Sequence, residues 1–242
     1  MVFKSLLTTG FGNSVVNGGT SVKYNAFVGY CTHTATEADV KLNTDAGTYS
    51  KLQVKVTSNS VAATSTVKFR KNGADGTQSL SITSTSTGTF EDGSGTDTVS
   101  DGDDINCTMT NGATGSIKLV SISVQYDNND NNGKKLCGCI PSLGFATASA
   151  TRYLPLSGYI GSPASVESQA IYMARDTITM KRLQAVISAN ARTTTTTYRT
   201  RKNSANGAFS ISVGFSATGM LEDNSATSDS FVSGDTFDFQ FV

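Results

Sequence analysis

The sequence is poor in the residues on which metal sites, sugar-binding platforms and membrane anchors most often depend. Its 242 residues include no tryptophan, three prolines and one histidine. Lysine plus arginine equals aspartate plus glutamate, at 19 each, so no net charge attracts nucleic acid or an anionic membrane. No apolar run reaches the roughly 20 residues of a membrane-spanning helix. The sequence therefore predicts neither a nucleic-acid partner nor a membrane partner.

The single histidine and the acidic residues do not form a recognisable reactive site. Cys31 and His33 would share one face of a strand, but a metal site needs further ligands at suitable spacing. We therefore expect His33 to be a surface or partly buried residue. The acidic residues between Glu91 and Asp104 could be read as paired carboxylates for glycoside hydrolysis. Their repetition, described below, favours a structural role, and we predict a non-enzymatic protein without metal or cofactor.

The four cysteines fall into two groups. Cys31 and Cys107 align with apolar residues in the second half of the chain, so they are expected to fill the core or to form one disulfide within a domain. Cys137 and Cys139 have no counterpart there and are separated by one glycine, which excludes a Cys-x-x-Cys motif. They could be inert linker thiols, or they could crosslink subunits in an oxidising environment.

A long stretch of sequence occurs twice. Arg70-Lys71 recurs as Arg201-Lys202 and Glu91-Asp92 recurs as Glu222-Asp223, both 131 positions later (201 − 70 and 222 − 91). This period is far longer than that of a solenoid repeat and indicates a duplicated domain. Because both charged pairs persist in both copies, we predict that they serve structure, as salt bridges or as hydrogen bonds that fix turns.

Alternating apolar residues predict short strands throughout both copies. Val22 to Tyr30, Leu52 to Val56 and Ile117 to Val124 follow the period of two that is typical of half-buried strands. Asn72-Gly73 and Asp75-Gly76 are strong turn signals between strands. The predicted fold is all-β, with two tandem antiparallel jelly-roll or β-sandwich domains that arose by internal duplication.

The predicted domains differ in their last strand. We place an N-terminal arm at 1–20, the first domain at 21–126, a linker at 127–141 and the second domain at 142–242. Nothing in the second copy corresponds to 116–126, so the second sandwich would expose core side chains and unpaired backbone groups. Three explanations are open: the arm of the same chain fills the gap, an arm from a neighbouring subunit fills it, or the given sequence is incomplete. The apolar residues that suit the arm for this purpose are Val2, Phe3, Leu6 and Leu7.

The doubled core resembles a known type of module. Arg70-Lys71-Asn72-Gly73, a hydrophobic strand, Thr87-Gly88-Thr89-Phe90-Glu91-Asp92 and Val99 to Asn106 are similar to the jelly-roll modules of phage and viral structural proteins, which broadly resemble the tumour-necrosis-factor and C1q-like sandwich. The second copy departs from the last part, where it reads Phe231 to Asp238. The resemblance implies a non-enzymatic virion component, such as a capsid decoration protein, a head or tail fibre or a shell subunit.

The leading hypothesis is a structural protein that assembles with copies of itself, and with other virion proteins, through strand exchange between subunits. The resemblance implies the virion, or an extracellular filament, as the location, and neither a signal peptide nor a membrane span is evident. One alternative is a filament subunit on the cell surface. Another is an adhesin or carbohydrate-binding sandwich, for which the candidate sugar-binding residues are Tyr153, Tyr159 and Tyr172.

Overall fold

A computed structural model describes residues 4–10, 15–17, 21–30, 33–128, 150–156, 163–175, 177–225 and 228–242. The chain divides into two compact units, Met1–Cys137 and Gly138–Val242. Within the described residues there are strands, two short 3-10 helices at Glu37–Val40 and Glu167–Gln169, and no α-helix. The predicted all-β, antiparallel fold is confirmed. No helix in the described part of the chain has the length and hydropathy needed to cross a membrane.

The described part of the first unit contains twelve strands in two sheets. They are β1 Lys4–Gly10, β2 Val15–Asn17, β3 Val22–Asn25, β4 Gly29–Tyr30, β5 Leu42–Asn43, β6 Gly47–Asn59, β7 Ser65–Lys71, β8 Ala74–Ile82, β9 Gly88–Glu91, β10 Thr96–Val99, β11 Asp104–Thr110 and β12 Ser116–Asp127. One sheet has the order β10-β6-β12-β1-β4, with β9 also beside β6 and β2 beside β12. The other has the order β3-β11-β7-β8, with β5 beside β11.

The core of the first unit is formed by the inward residues of both sheets. Strands β6 and β12 alternate between buried and more exposed positions, as half-buried strands do. Phe69 of β7 lies between two aromatic rings, with centroid distances of 5.3 Å to Phe27 and 5.3 Å to Tyr49. Both distances are typical of favourable aromatic pairs. Because Tyr49 belongs to β6 and Phe69 to β7, these contacts join the two sheets.

The N-terminal segment is a strand of the first unit and differs from the separate arm that we predicted. β1 pairs antiparallel with β12 along its whole length, from Lys4 opposite Asp127 to Gly10 opposite Ser121. Leu7 is fully buried in the core, whereas Leu6 is 69% exposed on the other face of the strand. The alternation of faces explains this difference. Val2 and Phe3 lie outside the described residues, and the proposed transfer of this segment to a neighbouring subunit stays a prediction.

The second unit contains nine described strands. They are β13 Arg152–Leu154, β14 Tyr172–Met173, β15 Ile178–Met180, β16 Leu183–Ile187, β17 Thr196–Lys202, β18 Ala205–Val213, β19 Gly219–Asp223, β20 Asp229–Phe231 and β21 Thr236–Phe241. One sheet has the order β13-β21-β17-β18, with β14 also beside β21. β15 pairs with β20, and β16 pairs with β19.

The two units share local structure at matching positions. Hairpin β17–β18 has the same lengths as hairpin β7–β8, and its register shift falls at Arg199/Arg201 where the first unit has one at Lys68/Arg70. β21 pairs with β17 as β11 pairs with β7, with Phe237 opposite Lys202 and Ile105 opposite Lys71. The internal duplication stays a prediction, and these matched pairings support it.

Candidate functional site

Arg70 is the centre of a charged cluster in the first unit. Its Nε donates to Glu37 Oε1 at 2.8 Å, and its Nη1 donates to Asp75 Oδ1 at 2.5 Å. Its Nη2 also donates to the Gly73 carbonyl, which fixes the turn between β7 and β8. Asn106 Nδ2 adds a hydrogen bond of 3.1 Å to the same Glu37 oxygen. The guanidinium therefore links the hairpin, the first 3-10 helix and, through Asn106, strand β11.

The ionisation of this cluster follows from its contacts. Burial acts to raise the pKa of Glu37, but hydrogen bonds from Arg70 and Asn106 outweigh burial and hold that pKa below its ordinary value. The hydrogen bond to Glu37 raises the pKa of Arg70. Only 13% of the Arg70 side chain and 18% of the Glu37 side chain are exposed, so solvent screens this pair less than a surface pair. The arrangement keeps both groups charged and stabilises the fold.

Arg201 occupies the matching position in the second unit. Its Nε donates to Glu167 Oε1 at 3.1 Å, its Nη1 donates to Asn206 Oδ1 at 2.7 Å, and its Nη2 donates to the Ser204 carbonyl. The position of Asn106 is taken here by Asp238, which is 3% exposed. Burial, together with the negative charge of Glu167, raises the pKa of Asp238 to about 7. The second unit therefore has a carboxyl group beside an acid at the position where the first unit has an amide beside an acid.

The repeated acidic pairs fix turns but do not pair with the repeated basic residues. Asp92 Oδ1 accepts the backbone N–H of Gly95 at 2.8 Å, and Asp92 Oδ2 accepts that of Ser79 at 2.8 Å. The Gly95 bond is the main cause of a lowered pKa of Asp92. Asp223 likewise accepts the N–H of Ser210 at 2.7 Å. The hydrogen-bonded alternative for Asp92 and Asp223 is thus found in the structure.

Glu91 lies on β9 and Glu222 lies on β19, and each contacts a side chain of a neighbouring segment. Gln53 Nε2 donates to Glu91 Oε2 at 2.9 Å, and Arg182 Nε lies 2.8 Å from Glu222 Oε1. Among the described residues, the salt bridges of Arg70 and Lys71 are formed with Glu37, Asp75 and Asp103, and not with the Glu91-Asp92 pair. The physical reason is topological, because β9 belongs to one sheet and β7 to the other.

Lys71 and Lys202 contact the aspartates of the Gly-Asp turns instead. Lys71 Nζ lies 3.7 Å from Asp103 Oδ2, and Lys202 Nζ lies 2.9 Å from Asp235 Oδ2. The asparagine that follows each lysine also donates to that aspartate, from Nδ2 of Asn203 to Asp235 Oδ1 at 2.8 Å in the second unit. The Asn203 hydrogen bond is the main cause that lowers the pKa of Asp235 to about 2.

Three sets of acidic side chains that make structural contacts were not predicted from the sequence. Glu37 and Glu167 are the actual partners of the repeated arginines. Asp97 Oδ1 accepts the N–H of Thr77 at 2.6 Å, and Asp229 Oδ1 accepts that of Ala208 at 2.7 Å. Asp238 was noted only as a departure from the motif. Alignment of the two copies pairs Glu37 with Glu167 and Asp97 with Asp229 at nearly constant spacing, and that was the available signal.

The histidine and the cysteines considered from the sequence form no common site among the described residues. His33 is partly buried, as expected, and burial is the main cause that lowers its pKa. Cys107 is buried, and its Sγ lies 3.6 Å from the Asn25 carbonyl oxygen. Cys31, Cys137 and Cys139 lie outside the described residues. Among the residues that the structure describes, no group of three or more His, Cys, Asp or Glu side chains could hold a metal ion.

One strand edge differs between the units. In the first unit, β6 pairs with β9 and β10 on one edge and with β12 on the other. The spacing of 131 places β15 and β16 where the first unit has β6. These strands pair with β20 and β19, but no described strand pairs with their second edge. Within the described residues, no strand takes the place that β12 has beside β6.

Comparison with known proteins gives no family assignment. No family model matches the chain, and no curated protein matches it. Among solved structures, the chain is similar to dimeric latent PorU from Porphyromonas gingivalis, with 8% identity and a TM-score of 0.31. The match covers 98% of this chain and 20% of that one, so this chain spans about a fifth of that structure's length. A similarity with so low a TM-score carries no argument about fold or function.

Proposed function

We propose that the chain is a non-enzymatic structural protein, built of two tandem sandwich domains, that assembles with copies of itself into a virion or a filament. A capsid decoration protein, a head or tail fibre and a shell subunit all fit this description. The observation that supports the proposal is the all-β architecture of both units, whose antiparallel sheets end in edge strands. Strand edges with unpaired backbone groups are templates for association with another chain.

The charged residues that the repeat retains also support a structural role. Arg70 and Arg201 hold a 3-10 helix against a hairpin, and Asp92 and Asp223 accept backbone N–H groups. A catalytic acid or base must instead face a substrate within hydrogen-bond reach. These four side chains are occupied by contacts that hold the sandwiches together.

The proposal is tested by measuring the size of the assembled protein. Light scattering coupled to size-exclusion chromatography, with electron microscopy of the same fractions, should give a defined oligomer or a filament as the protein concentration increases. Parallel samples in oxidising and reducing buffer would show whether Cys137 and Cys139 crosslink subunits. A monomer at all concentrations, under both redox conditions, would overturn the proposal.

A second candidate function, binding of carbohydrate, is favoured by one exposed aromatic residue. Tyr172 on β14 is 40% exposed, and its ring centroid lies 6.1 Å from that of Phe237. Tyr153 is on β13, which also pairs with β21; it lies opposite Gln240, and Gln240 Nε2 donates to its hydroxyl at 3.3 Å. Tyr159 lies outside the described residues. Binding of a monomer to a glycan array, lost in Tyr172→Ala, would support this candidate.

A further inference from the structure

Arg199 is a basic side chain of the second unit whose charge is not matched by an acid. It lies on β17 and is partly buried, and its Nε is buried without a hydrogen-bond partner among the described residues. The ion pairs between described residues of this unit involve Arg182, Arg201 and Lys202, and none of them includes Arg199. Buried polar groups in proteins are normally hydrogen-bonded. The guanidinium of Arg199 is therefore placed to bind an acceptor from outside these contacts.

The first unit shows which acceptor suits this position. Lys68 is the counterpart of Arg199, 131 positions earlier (199 − 68), and its Nζ donates to Asp75 Oδ2 at 2.8 Å. Arg70 donates to the other oxygen of the same carboxylate. One carboxylate thus bonds to two basic side chains of β7. Charge-assisted hydrogen bonds of this kind are the strong ones, and the acceptor here is a carboxylate.

The second unit has both basic residues but lacks the carboxylate. Asn206 stands at the position of Asp75, again 131 positions later (206 − 75), and its Oδ1 accepts a hydrogen bond from Arg201 Nη1 at 2.7 Å. An amide is neutral and cannot balance the charge of Arg199. Arg201 is also paired with Glu167, so its own charge is compensated. The difference of one charge between the units leaves Arg199 as a cation that can bind an external anion.

Arg199 belongs to a row of side chains that crosses the four-stranded sheet of the second unit. Gln240 lies opposite Arg199 on one side, and Ser210 lies opposite it on the other. Tyr153 lies opposite Gln240 and accepts a hydrogen bond of 3.3 Å from its Nε2. Directly opposite residues of antiparallel strands share one face of the sheet. Two strand spacings, about 10 Å, separate Tyr153 from Arg199, so one small ligand can contact both.

The chemistry of this row fits a sugar acid. A guanidinium binds a carboxylate through two parallel hydrogen bonds. The Gln240 amide and the Ser210 hydroxyl can bond to sugar hydroxyls, and the Tyr153 ring offers an apolar surface with a polar tip. We propose that the row Tyr153, Gln240, Arg199 and Ser210 binds a sugar acid whose carboxylate pairs with Arg199. The inference rests on the second candidate function, carbohydrate binding, and names a ligand class and a site other than Tyr172.

Titration with glucuronate, a sugar acid, tests the inference. The Nε–Hε group of Arg199 gives its own signal in a nitrogen–proton NMR spectrum, which is assigned by its loss in Arg199→Gln. We expect this signal to shift saturably as glucuronate is added to the full chain. Glucose lacks the carboxylate and acetate lacks the sugar ring, so each should bind at least ~10-fold more weakly. Phosphate, compared at the same ionic strength, should also bind more weakly because it lacks the ring.

Asn206→Asp is the decisive variant because its effect does not depend on damage to the fold. It supplies the carboxylate that the first unit has at Asp75, and this group should pair with Arg199 in place of the ligand. The dissociation constant for glucuronate should increase at least ~10-fold, as it should in Arg199→Gln. Arg175→Gln removes an exposed charge beyond β14 and should leave binding unchanged. Urea unfolding of each variant shows that it is folded.

Several results would overturn the inference. One is the absence of a shift of the Arg199 signal with glucuronate, and another is an equal shift with glucose, acetate or phosphate. Glucuronate binding that Asn206→Asp leaves unchanged would also contradict it, because the internal carboxylate should compete. Tighter binding of a short aspartate-containing peptide than of glucuronate would identify an acidic polypeptide as the ligand and overturn the sugar acid.

The outcomes separate this inference from the proposed functions. Glycan binding that Tyr172→Ala abolishes, with no change in the Arg199 signal, would keep the second candidate function and overturn the site at Arg199. Glucuronate binding that Tyr172→Ala leaves unchanged supports the site at Arg199. Light scattering decides the assembly function independently, because a monomer and an oligomer can both bind glucuronate at Arg199.

Discussion

Asn106 and Asp238 occupy matching positions in the two units but have different chemistry. Asn106 donates a hydrogen bond to Glu37, and this bond requires no proton to be taken up. Asp238 can donate to an acidic neighbour only when it is protonated. The first unit therefore carries an amide where the second carries a group whose charge depends on pH.

Replacement of Asp238 by asparagine should stabilise the second unit at neutral and alkaline pH. The pKa of Asp238 is raised from 3.8 to about 7 in the folded state, so the folded chain keeps a proton that the unfolded chain releases. The free energy of unfolding should thus decrease as pH increases from about 4 to about 7. In Asp238→Asn this decrease should be smaller. Urea unfolding at several pH values measures it.

The converse change serves as a matched control for this prediction. Asn106→Asp should introduce the same pH dependence into the first unit, because Glu37 and Arg70 surround it as Glu167 and Arg201 surround Asp238. An unchanged pH profile in both variants would show that the Glu–Arg–Asp arrangement does not determine the protonation of the acid.

Asn203 should be sensitive to replacement because it combines a left-handed backbone with two kinds of hydrogen bond. Its φ is 49°, its Nδ2 donates to Asp235, and its Oδ1 accepts the N–H of Thr236 at 2.8 Å. Asn203→Ala keeps the unfavourable backbone and loses both bonds, and it should lower the free energy of unfolding by about 2 kcal/mol.

Asn203→Gly separates backbone strain from the lost hydrogen bonds. Glycine adopts positive φ without a steric penalty, so this variant should lose less stability than Asn203→Ala. The pKa of Asp235, measured by NMR titration, should increase from about 2 in both variants because its main cause is the Asn203 hydrogen bond. Equal loss of stability in both variants would argue that strain contributes little.

At the scale of elements, β1 is the most informative strand. The apolar residues of this segment predicted that it could fill the gap in the second sandwich, whereas the structure pairs β1 with β12 in the first unit. Sequence period determines which side chains share a face, but it contains no information about which strand is the neighbour. The same limit explains why the partner of Arg70 was not predicted.

A pair of neighbouring leucines tests the placement of β1. Leu7 is fully buried and Leu6 is 69% exposed. Leu7→Ala should lower the free energy of unfolding of the first unit by roughly 2–5 kcal/mol, because it removes buried methyl groups and leaves a cavity. Leu6→Ala should have little effect, as expected of an exposed site. Chemical denaturation followed by tyrosine fluorescence would compare the two, and equal effects would contradict the placement.

The turn predicted at Asn72-Gly73 is confirmed, whereas the one predicted at Asp75-Gly76 is wrong because both residues lie inside β8. Asn72 and Asn203 both stand at positive φ between paired strands, where asparagine is favoured. β9 was predicted as a short strand, but its assignment to the sheet of β6 required the tertiary structure. Local turn chemistry can be recognised in the sequence because it depends on adjacent residues only.

At the scale of the whole molecule, each unit has its own buried core. The first is built around Tyr49, Phe69 and β12, while the second has smaller clusters around Phe209 and Phe231. Scanning calorimetry should therefore resolve two unfolding transitions. Phe209→Ala should shift one of them downward, by the loss of roughly 3–5 kcal/mol, and Leu7→Ala should shift the other.

Phe209→Ala and Leu7→Ala each alter the core of one unit, so their calorimetric transitions can be compared. Phe209 is fully buried in the second unit and Leu7 is fully buried in the first. If both variants moved a single common transition, the two units would unfold as one cooperative structure. Separate shifts would assign each transition to one unit.

The sequence by itself determined the all-β class, the matched hairpins, the turn aspartates and the spacing that relates the two units. These features follow from local periodicity and turn chemistry, which act over a few residues. Only the tertiary structure decided that Glu37 and Glu167 hold the arginines, that β1 completes the first unit, and that Asp238 is buried beside an acid. Each of these depends on which distant segments become neighbours, and a two-residue period leaves that choice open.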